Sequence, residues 1–138
     1  MSTDEPNGTP RRYKIAPDPA WDWCDEEDGV LSVELSWAPD PLAGRPPELV
    51  ASPELVTALS AERLTGYTTG TARGTFGDGA FGVEEGATVP ELVRLIVGED
   101  PAADFSYERS QGLTVSERAL ALLQARCQNL TVKPAGWG

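Results

Sequence analysis

Residues 112–134, GLTVSERALALLQARCQNLTVKP, contain the clearest structural pattern in this chain, and it is the pattern of a helix. Ser116 is a favourable N-cap, and Val115 and Leu120 have the N′ and N4 spacing of a hydrophobic staple. At about 100° per residue, apolar side chains share one narrow sector of this helix and polar side chains lie opposite. The apolar sector contains Ala119, Leu120, Leu123 and Cys127, with Leu122 at its border. The stretch therefore predicts an amphipathic helix that buries one face.

This helix is predicted to end at Asn129, because asparagine tolerates the left-handed conformation that often follows a last helical turn. Leu130 and Val132 then alternate with Thr131 and Lys133, which is the period-two pattern of a strand. We therefore expect a short strand after the helix. None of these side chains points to a reaction, so the stretch indicates fold and not function.

Strand-like and helix-like segments interleave along the rest of the chain without a regular βαβ rhythm. Strands are predicted at residues 11–15, 30–37 and 67–76. Ser52 and Pro53 have the N-cap and N1 preferences of a second helix, which is predicted to reach about Arg63. Residues 88–97 fit either a helix or a helical turn that runs into a strand. The predicted fold class is α+β, with a small antiparallel or mixed sheet and two or three helices.

The length of 138 residues is that of one domain, and 40% apolar residues are enough for a core. Residues 1–10 are small and polar, so we expect a disordered N-terminal tail followed by a single domain over residues 11–138. The same polar start does not resemble a signal peptide, and no apolar run has the length of a membrane span. These features predict a cytoplasmic protein.

The net charge of −11 restricts the class of partner. Residues 1–40 carry ten acidic and three basic side chains. Proteins that bind nucleic acids place Lys and Arg against phosphates, so an excess of carboxylates predicts that this chain does not bind DNA or RNA. An acidic surface favours a basic protein partner and speeds its capture at low salt. A role in solubility alone is the simpler explanation of the same charge.

The chain has no histidine. This excludes Ser-His triads, removes the commonest general base and leaves few ligands for transition metals. The many carboxylates do not form a pair in an apolar setting that would tune one as an acid and one as a base. We therefore expect no enzymatic activity, no cofactor and no metal ion.

Two motifs resemble known binding sites but fail a further requirement of those sites. Residues 77–82 match G-x-G-x-x-G, but a dinucleotide site needs a buried strand before it and a helix after it, and neither is predicted here. Residues 25–29 look like the start of a calcium loop, but that frame puts Cys24 and Leu35 at ligand positions. A solvated acidic loop is the preferred interpretation, with a looser metal site as the alternative. A disulfide between Cys24 and Cys127 is left open.

Three tryptophans fall within seventeen residues, at Trp21, Trp23 and Trp37. They fit either core packing or an exposed binding surface. In the predicted Thr-rich strand, Gly70 and Gly74 share a face made of small residues, to which a bulky group is expected to pack closely. One of the tryptophans is a natural candidate for that contact.

Four short motifs resemble the C-terminal part of a known class of protein. They are Leu64-Thr65-Gly66-Tyr67, Pro90-Glu91-Leu92, Gly112-Leu113-Thr114-Val115-Ser116-Glu117-Arg118-Ala119-Leu120 and Cys127-Gln128-Asn129-Leu130-Thr131-Val132-Lys133-Pro134. The stretch from 52 to 134 resembles small immunity proteins of bacterial polymorphic-toxin systems, in which a "leucine, glycine, aromatic" strand precedes a "valine-serine-glutamate-arginine" helix start. The resemblance implies a non-catalytic cytoplasmic inhibitor that binds and blocks a toxin domain. The first fifty residues carry no such resemblance.

An acidic and aromatic surface fits the basic substrate cleft of a nuclease or similar toxin, because its carboxylates replace the charge of phosphates. The predicted contact residues are Trp21, Trp23, Asp25, Glu26, Glu27 and Asp28. The alternative is an accessory or small-ligand-binding module of a biosynthetic or phage gene cluster, with a ligand against the glycines of residues 70–74. A third class, an enzyme that uses carboxylates alone, requires a deep pocket with two converging acids.

Overall fold

The computed structural model describes residues 12–84 and 86–134. The predicted disordered tail, residues 1–10, lies outside the described residues. The described residues form ten strands and two helices. In chain order these are β1 (Arg12–Ala16), β2 (Trp21–Glu27), β3 (Val30–Trp37), β4 (Leu42–Arg45), β5 (Glu48–Ala51), α1 (Pro53–Ala61), β6 (Tyr67–Phe81), β7 (Val93–Val97), β8 (Phe105–Glu108), β9 (Gly112–Ser116), α2 (Glu117–Arg126) and β10 (Thr131–Pro134).

Both helices begin where their capping residues predict. The Ser52 hydroxyl accepts from the Leu55 N–H at 3.1 Å, and the Ser116 hydroxyl accepts from the Ala119 N–H at 3.2 Å. These bonds satisfy amide donors that the first helical turn leaves unpaired. Helix α2 buries Ala119, Leu120 and Leu123, as its apolar sector predicts.

The predicted end of α2 at Asn129 is wrong. The helix ends at Arg126, and the C-cap Cys127 has an extended backbone with φ −99° and ψ 144°. The Asp40 carboxylate accepts from the N–H groups of both Gln128 and Asn129, at distances of 2.9–3.1 Å. A side chain distant in sequence therefore binds the amides that follow the helix.

The strands form two sheets, so the expectation of one small sheet is wrong although the α+β class is confirmed. A four-stranded antiparallel sheet has the order β10-β1-β9-β8. A six-stranded mixed sheet has the order β2-β3-β6-β7-β5-β4, and its β3–β6 pair is parallel. The fifteen residues of β6 allow its first part to pair with β7 and its later part with β3. This strand joins two groups of strands into one sheet.

The six-stranded sheet curls until its two edges meet. Asp18, just before β2, forms a parallel bridge with Ala43 of β4, and its carbonyl accepts from the Gly44 N–H at 2.7 Å. The concave side encloses a hydrophobic cluster from both edges of the sheet. Its members are Ala20, Trp21, Leu31, Val33, Leu35, Ala43 and Val50.

A second hydrophobic cluster joins the two sheets to the helices. Its buried members include Leu49 and Leu95 of the curled sheet, Phe105 and Val115 of the four-stranded sheet, and residues of α1 and α2. Strand β5 therefore has apolar packing on both faces, with Val50 in the first cluster and Leu49 in the second. Within the described part of the chain, neither helix has the length and apolar composition needed to cross a membrane.

Candidate functional site

The acidic segment after Trp21 is a strand and a tight turn, not the solvated loop or metal loop considered from the sequence. Asp28 and Gly29 have φ angles of 52° and 81° and connect β2 to β3. A two-residue hairpin turn of type I′ requires positive φ at both central positions, which Asp-Gly supplies. The register then sets Glu27 opposite Val30 and Trp23 opposite Glu34.

One face of this hairpin is exposed and mainly acidic. Partners across a strand pair lie on the same face of the sheet, so Trp23, Asp25 and Glu27 share a face with Glu34. All four side chains are exposed, and Trp23 retains 56% of its accessible surface. These four residues are called the acidic face below.

The neighbouring strand β6 borders the acidic face with a threonine and an arginine. Thr75 lies beside Glu34, and Arg73 lies beside Ser32, because β3 and β6 run parallel in this register. The Glu34 side chain lies close to Gly77, where an added Cβ would be 3.2 Å from Glu34 Cγ. The absence of a side chain at position 77 therefore leaves room for Glu34 to lie along the sheet.

Trp21 is buried, with 2% of its surface accessible, so its prediction as a surface contact is wrong. Period-two alternation would put Trp21 and Trp23 on the same face, but the register shifts between them. A bulge inserts one residue and turns the following side chain to the opposite face. Trp21 instead packs beside Gly44, where an added Cβ would lie 2.7 Å from its ring.

Of the other predicted contact residues, three belong to the acidic face, one lies in the turn and one lies on the opposite face of the sheet. Trp23, Asp25 and Glu27 belong to the face, and Asp28 is exposed in the turn next to it. Glu26 is on the opposite face, where its carboxylate accepts from Arg94 Nη1 at 2.9 Å. This hydrogen bond and the charge of Arg94 lower the pKa of Glu26. The same nitrogen donates to the Gly29 carbonyl at 3.0 Å, so Arg94 also holds the turn.

Glu34 is the member of the acidic face that the sequence reasoning missed. The alternation of apolar and polar residues over 30–37 puts Glu34 on the polar side of β3, but its place beside Trp23 depends on the hairpin register. The Asp-Gly pair at positions 28 and 29 is the signal that would have found it, because a two-residue turn fixes that register.

Aliphatic side-chain atoms lie against the glycine-lined face of β6, and no tryptophan of the described residues is among the nearest neighbours of Gly70 or Gly74. A Cβ added at Gly74 would lie 2.9 Å from Leu92 Cδ1 and 3.0 Å from Val89 Cγ1. At Gly70 the nearest atom would be Ile96 Cδ1, at 3.4 Å. The ligand site considered at residues 70–74 is therefore closed by residues of and near β7.

A surface pocket of about 470 Å³ lies further along the same strand. It is lined by residues 76–80, 83, 84, 86 and 87. The G-x-G-x-x-G motif at residues 77–82 falls here, in the end of β6 and the following turn, and no helix occurs between it and β7 in the described residues. Its acidic members, Asp78 and Glu84, are exposed.

The described residues contain no group of three or more Cys, Asp or Glu side chains arranged to hold a metal ion. Cys24 and Cys127 are both free thiols, which decides the open question of a disulfide. Burial, followed by the charge of nearby Asp40, raises the pKa of Cys127 to about 11. Cys127 is therefore protonated at neutral pH and a poor nucleophile.

Comparison of the chain with protein-family models, with curated proteins and with solved structures finds no match in any of the three. The resemblance of residues 52–134 to immunity proteins therefore stays a prediction that rests on the four short motifs.

Proposed function

We propose that this chain is a non-catalytic cytoplasmic immunity protein that binds and neutralises a toxin domain through the acidic face. The observation that carries the proposal is the exposed Trp23 ring, which lies among Asp25, Glu27 and Glu34 on one sheet surface. Tryptophan is enriched among the residues that contribute most to binding energy at interfaces. Carboxylates around it accelerate encounter with a basic partner and exclude an acidic one.

The chemistry of the partner follows from this charge. A net charge of −11 repels phosphate backbones, whereas a toxin that acts on nucleic acids presents Lys and Arg in its substrate cleft. The acidic face occupies such a cleft by offering carboxylates where the substrate offers phosphates. The basic domain is then blocked without any reaction on the part of the inhibitor.

Co-expression in a bacterial host tests the proposal. The protein encoded by the neighbouring gene is expressed alone and together with this chain, and growth is measured. We expect growth to stop with the first protein alone and to recover when the two are expressed together. The double variant Asp25→Lys/Glu27→Lys should fail to restore growth, because it reverses two charges of the acidic face.

The matched control is Glu91→Lys/Glu99→Lys, which makes the same change in net charge at two exposed positions on either side of β7. It should restore growth as the native protein does. Equal protection by both double variants would contradict a role for the acidic face, and a neighbouring protein without toxicity would contradict the immunity function.

A second candidate function, an accessory or small-ligand-binding module, is favoured by the pocket at residues 76–87. Its volume of about 470 Å³ falls in the range of small-molecule sites, and its lining mixes apolar and carboxylate groups. A thermal-shift screen against a metabolite library tests this function. A ligand that raises Tm for the native protein and not for Ala80→Trp, which fills the pocket, would support it over the immunity function.

A further inference from the structure

We propose that the partner of the acidic face docks by strand addition, placing an extended basic segment against the outer edge of β2. The inference rests on the proposed function and specifies the kind of surface that the partner brings. It follows from the position of β2 in the sheet, from the direction of its backbone groups and from the charges along its edge.

Strand β2 is the terminal strand of the curled sheet and pairs with β3 on one side. In a hairpin with a two-residue turn, the residues flanking the turn form a hydrogen-bonded pair, and bonded and non-bonded pairs then alternate. The backbone N–H and C=O groups of Glu27 and Asp25 therefore bond to β3. The same backbone groups of Cys24 and Glu26 point away from β3. Within the described part of the chain, neither of these two amides donates to another residue.

Within the residues that the structure describes, closure of the sheet leaves this part of the edge without a partner strand. The contact between the two edges is made by Asp18 and β4, before β2 begins. The register shift between Trp21 and Trp23 follows immediately, and a bulge bends and twists its strand locally. From Trp23 onward, β3 is the neighbouring strand of β2 in the described structure.

The charges along the edge select the occupant. A second copy of this chain pairing through β2 would set Asp25 and Glu27 against the same carboxylates, and like charges on opposing strands are destabilising. A segment with Lys or Arg at alternate positions would place its cations opposite these carboxylates and against the exposed ring of Trp23. The edge therefore accepts a basic strand and rejects a second copy.

Protection against aggregation is a common reason for charges on an edge strand, and Asp25 and Glu27 fit it. Trp23 does not, because an exposed aromatic ring at the edge adds an attractive apolar surface. In strand addition the main-chain bonds supply affinity and the alternate side chains supply specificity. The ring and carboxylates together fit that mode better than protection alone.

Two synthetic peptides test the mode of docking on the full chain. The first has Lys at alternate positions of a short Thr/Val sequence, and the second differs only by N-methylation of the amides that would face β2. Both are titrated into the ¹⁵N-labelled protein, and affinity and amide hydrogen exchange are measured by NMR. We expect the first peptide to slow exchange at Cys24 and Glu26, and the methylated peptide to bind at least about 10-fold more weakly.

Equal affinities would show that the acidic face attracts cations without strand pairing, which overturns this inference and leaves the proposed function standing. Unchanged exchange at Cys24 and Glu26 with the first peptide would also overturn it. Failure of the immunity function is detected separately, as an absence of protection in the co-expression experiment.

Variants of Cys24 test the same edge by changing this protein and leaving the peptide unchanged. Cys24→Pro removes the outward N–H without removing a hydrogen bond to β3, since the Cys24–Val33 pair is a non-bonded one. Cys24→Ala is the matched control, because it shortens the same side chain and keeps the N–H. We expect Cys24→Pro to lower affinity for the unmethylated peptide about 5-fold or more relative to Cys24→Ala. Equal affinities of the two variants would contradict pairing at this position.

Discussion

Trp21 and Trp23 differ by two positions in β2, yet one is 2% and the other 56% exposed. The register shift between them turns the first ring into the concave cluster and the second onto the acidic face. The alternation of residues along a strand predicts the same face for both rings. The position of a bulge cannot be read from that alternation. The sequence therefore indicated that this segment is aromatic and acidic, and not which tryptophan is available to a partner.

Alanine substitutions at the two tryptophans should separate stability from binding. Trp21→Ala removes a fully packed ring and should lower the free energy of unfolding by about 3–5 kcal/mol. Trp23→Ala should lower it by less than about 1 kcal/mol and weaken partner binding about 30-fold or more. Urea unfolding and partner titration measure the two effects. Equal losses of stability would contradict the opposite placement of the two rings.

Among the elements, those with local signals were predicted best. Both helices have an N-cap serine and an apolar sector, and these features lie within a few residues of each other in sequence. Strand β4 lies in a proline-rich stretch, residues 39–47, whose composition favours an irregular connection over a strand. The helical option for residues 88–97 is wrong, because residues 87–92 have no regular structure and β7 follows. Strands such as these depend on partners that are distant in sequence.

The β2–β3 hairpin depends on positive φ at its turn. Gly29→Ala should lower the free energy of unfolding by about 1 kcal/mol, because Gly29 has φ 81°, an angle that alanine adopts only at a cost. An added Cβ would meet no atom within 4 Å, so the backbone angle is the whole cause of this loss. Gly98→Ala is the control, since φ at Gly98 is not positive and the nearest atom would lie 3.8 Å away. It should be neutral or stabilising by up to about 1 kcal/mol. Equal destabilisation in urea titrations would contradict this account of the turn.

The Asp104 side chain links the segment just before β6 to the N-terminus of α2 by hydrogen bonds. Its carboxylate accepts from the Thr65 N–H at 2.9 Å and from the Ser116 hydroxyl at 2.6 Å, and Arg118 lies 3.6 Å away. Burial alone would raise the pKa of Asp104, but the hydrogen bonds from Ser116 and Thr65 and the charge of Arg118 together lower it. The folded state therefore binds the proton of this carboxyl group more weakly than the unfolded chain does.

A lowered pKa in the folded state stabilises the protein above the ordinary pKa of Asp, and that contribution disappears as pH falls through the folded value. Asp104→Asn should lower the free energy of unfolding by about 1–3 kcal/mol at neutral pH. The difference from the native protein should shrink as pH falls below about 4. Urea unfolding at pH 7 and at acidic pH measures it, and a difference that grows on acidification would contradict the role given to Asp104.

On the scale of the whole molecule, closure of the curled sheet decides what remains exposed. The bridge between Asp18 and Ala43 joins segments on opposite edges, and the side chain of Asp18, itself buried, accepts from Trp37 Nε1 at 2.9 Å. With the concave side filled by apolar residues, the acidic face is left on the outer surface of β2 and β3. No local pattern in the chain predicts this closure, because the β2–β3 hairpin separates Asp18 from Ala43 in the sequence.

The acidic face is the surface through which this protein is proposed to bind a basic partner. The most direct test is the association rate of the purified toxin partner with Asp25→Lys/Glu27→Lys and with the charge-matched Glu91→Lys/Glu99→Lys, measured by stopped flow at low salt. We expect the first variant to associate about 10-fold or more slowly than the second, and the difference to shrink as salt is added. Equal rates for the two variants at low salt would contradict the central claim.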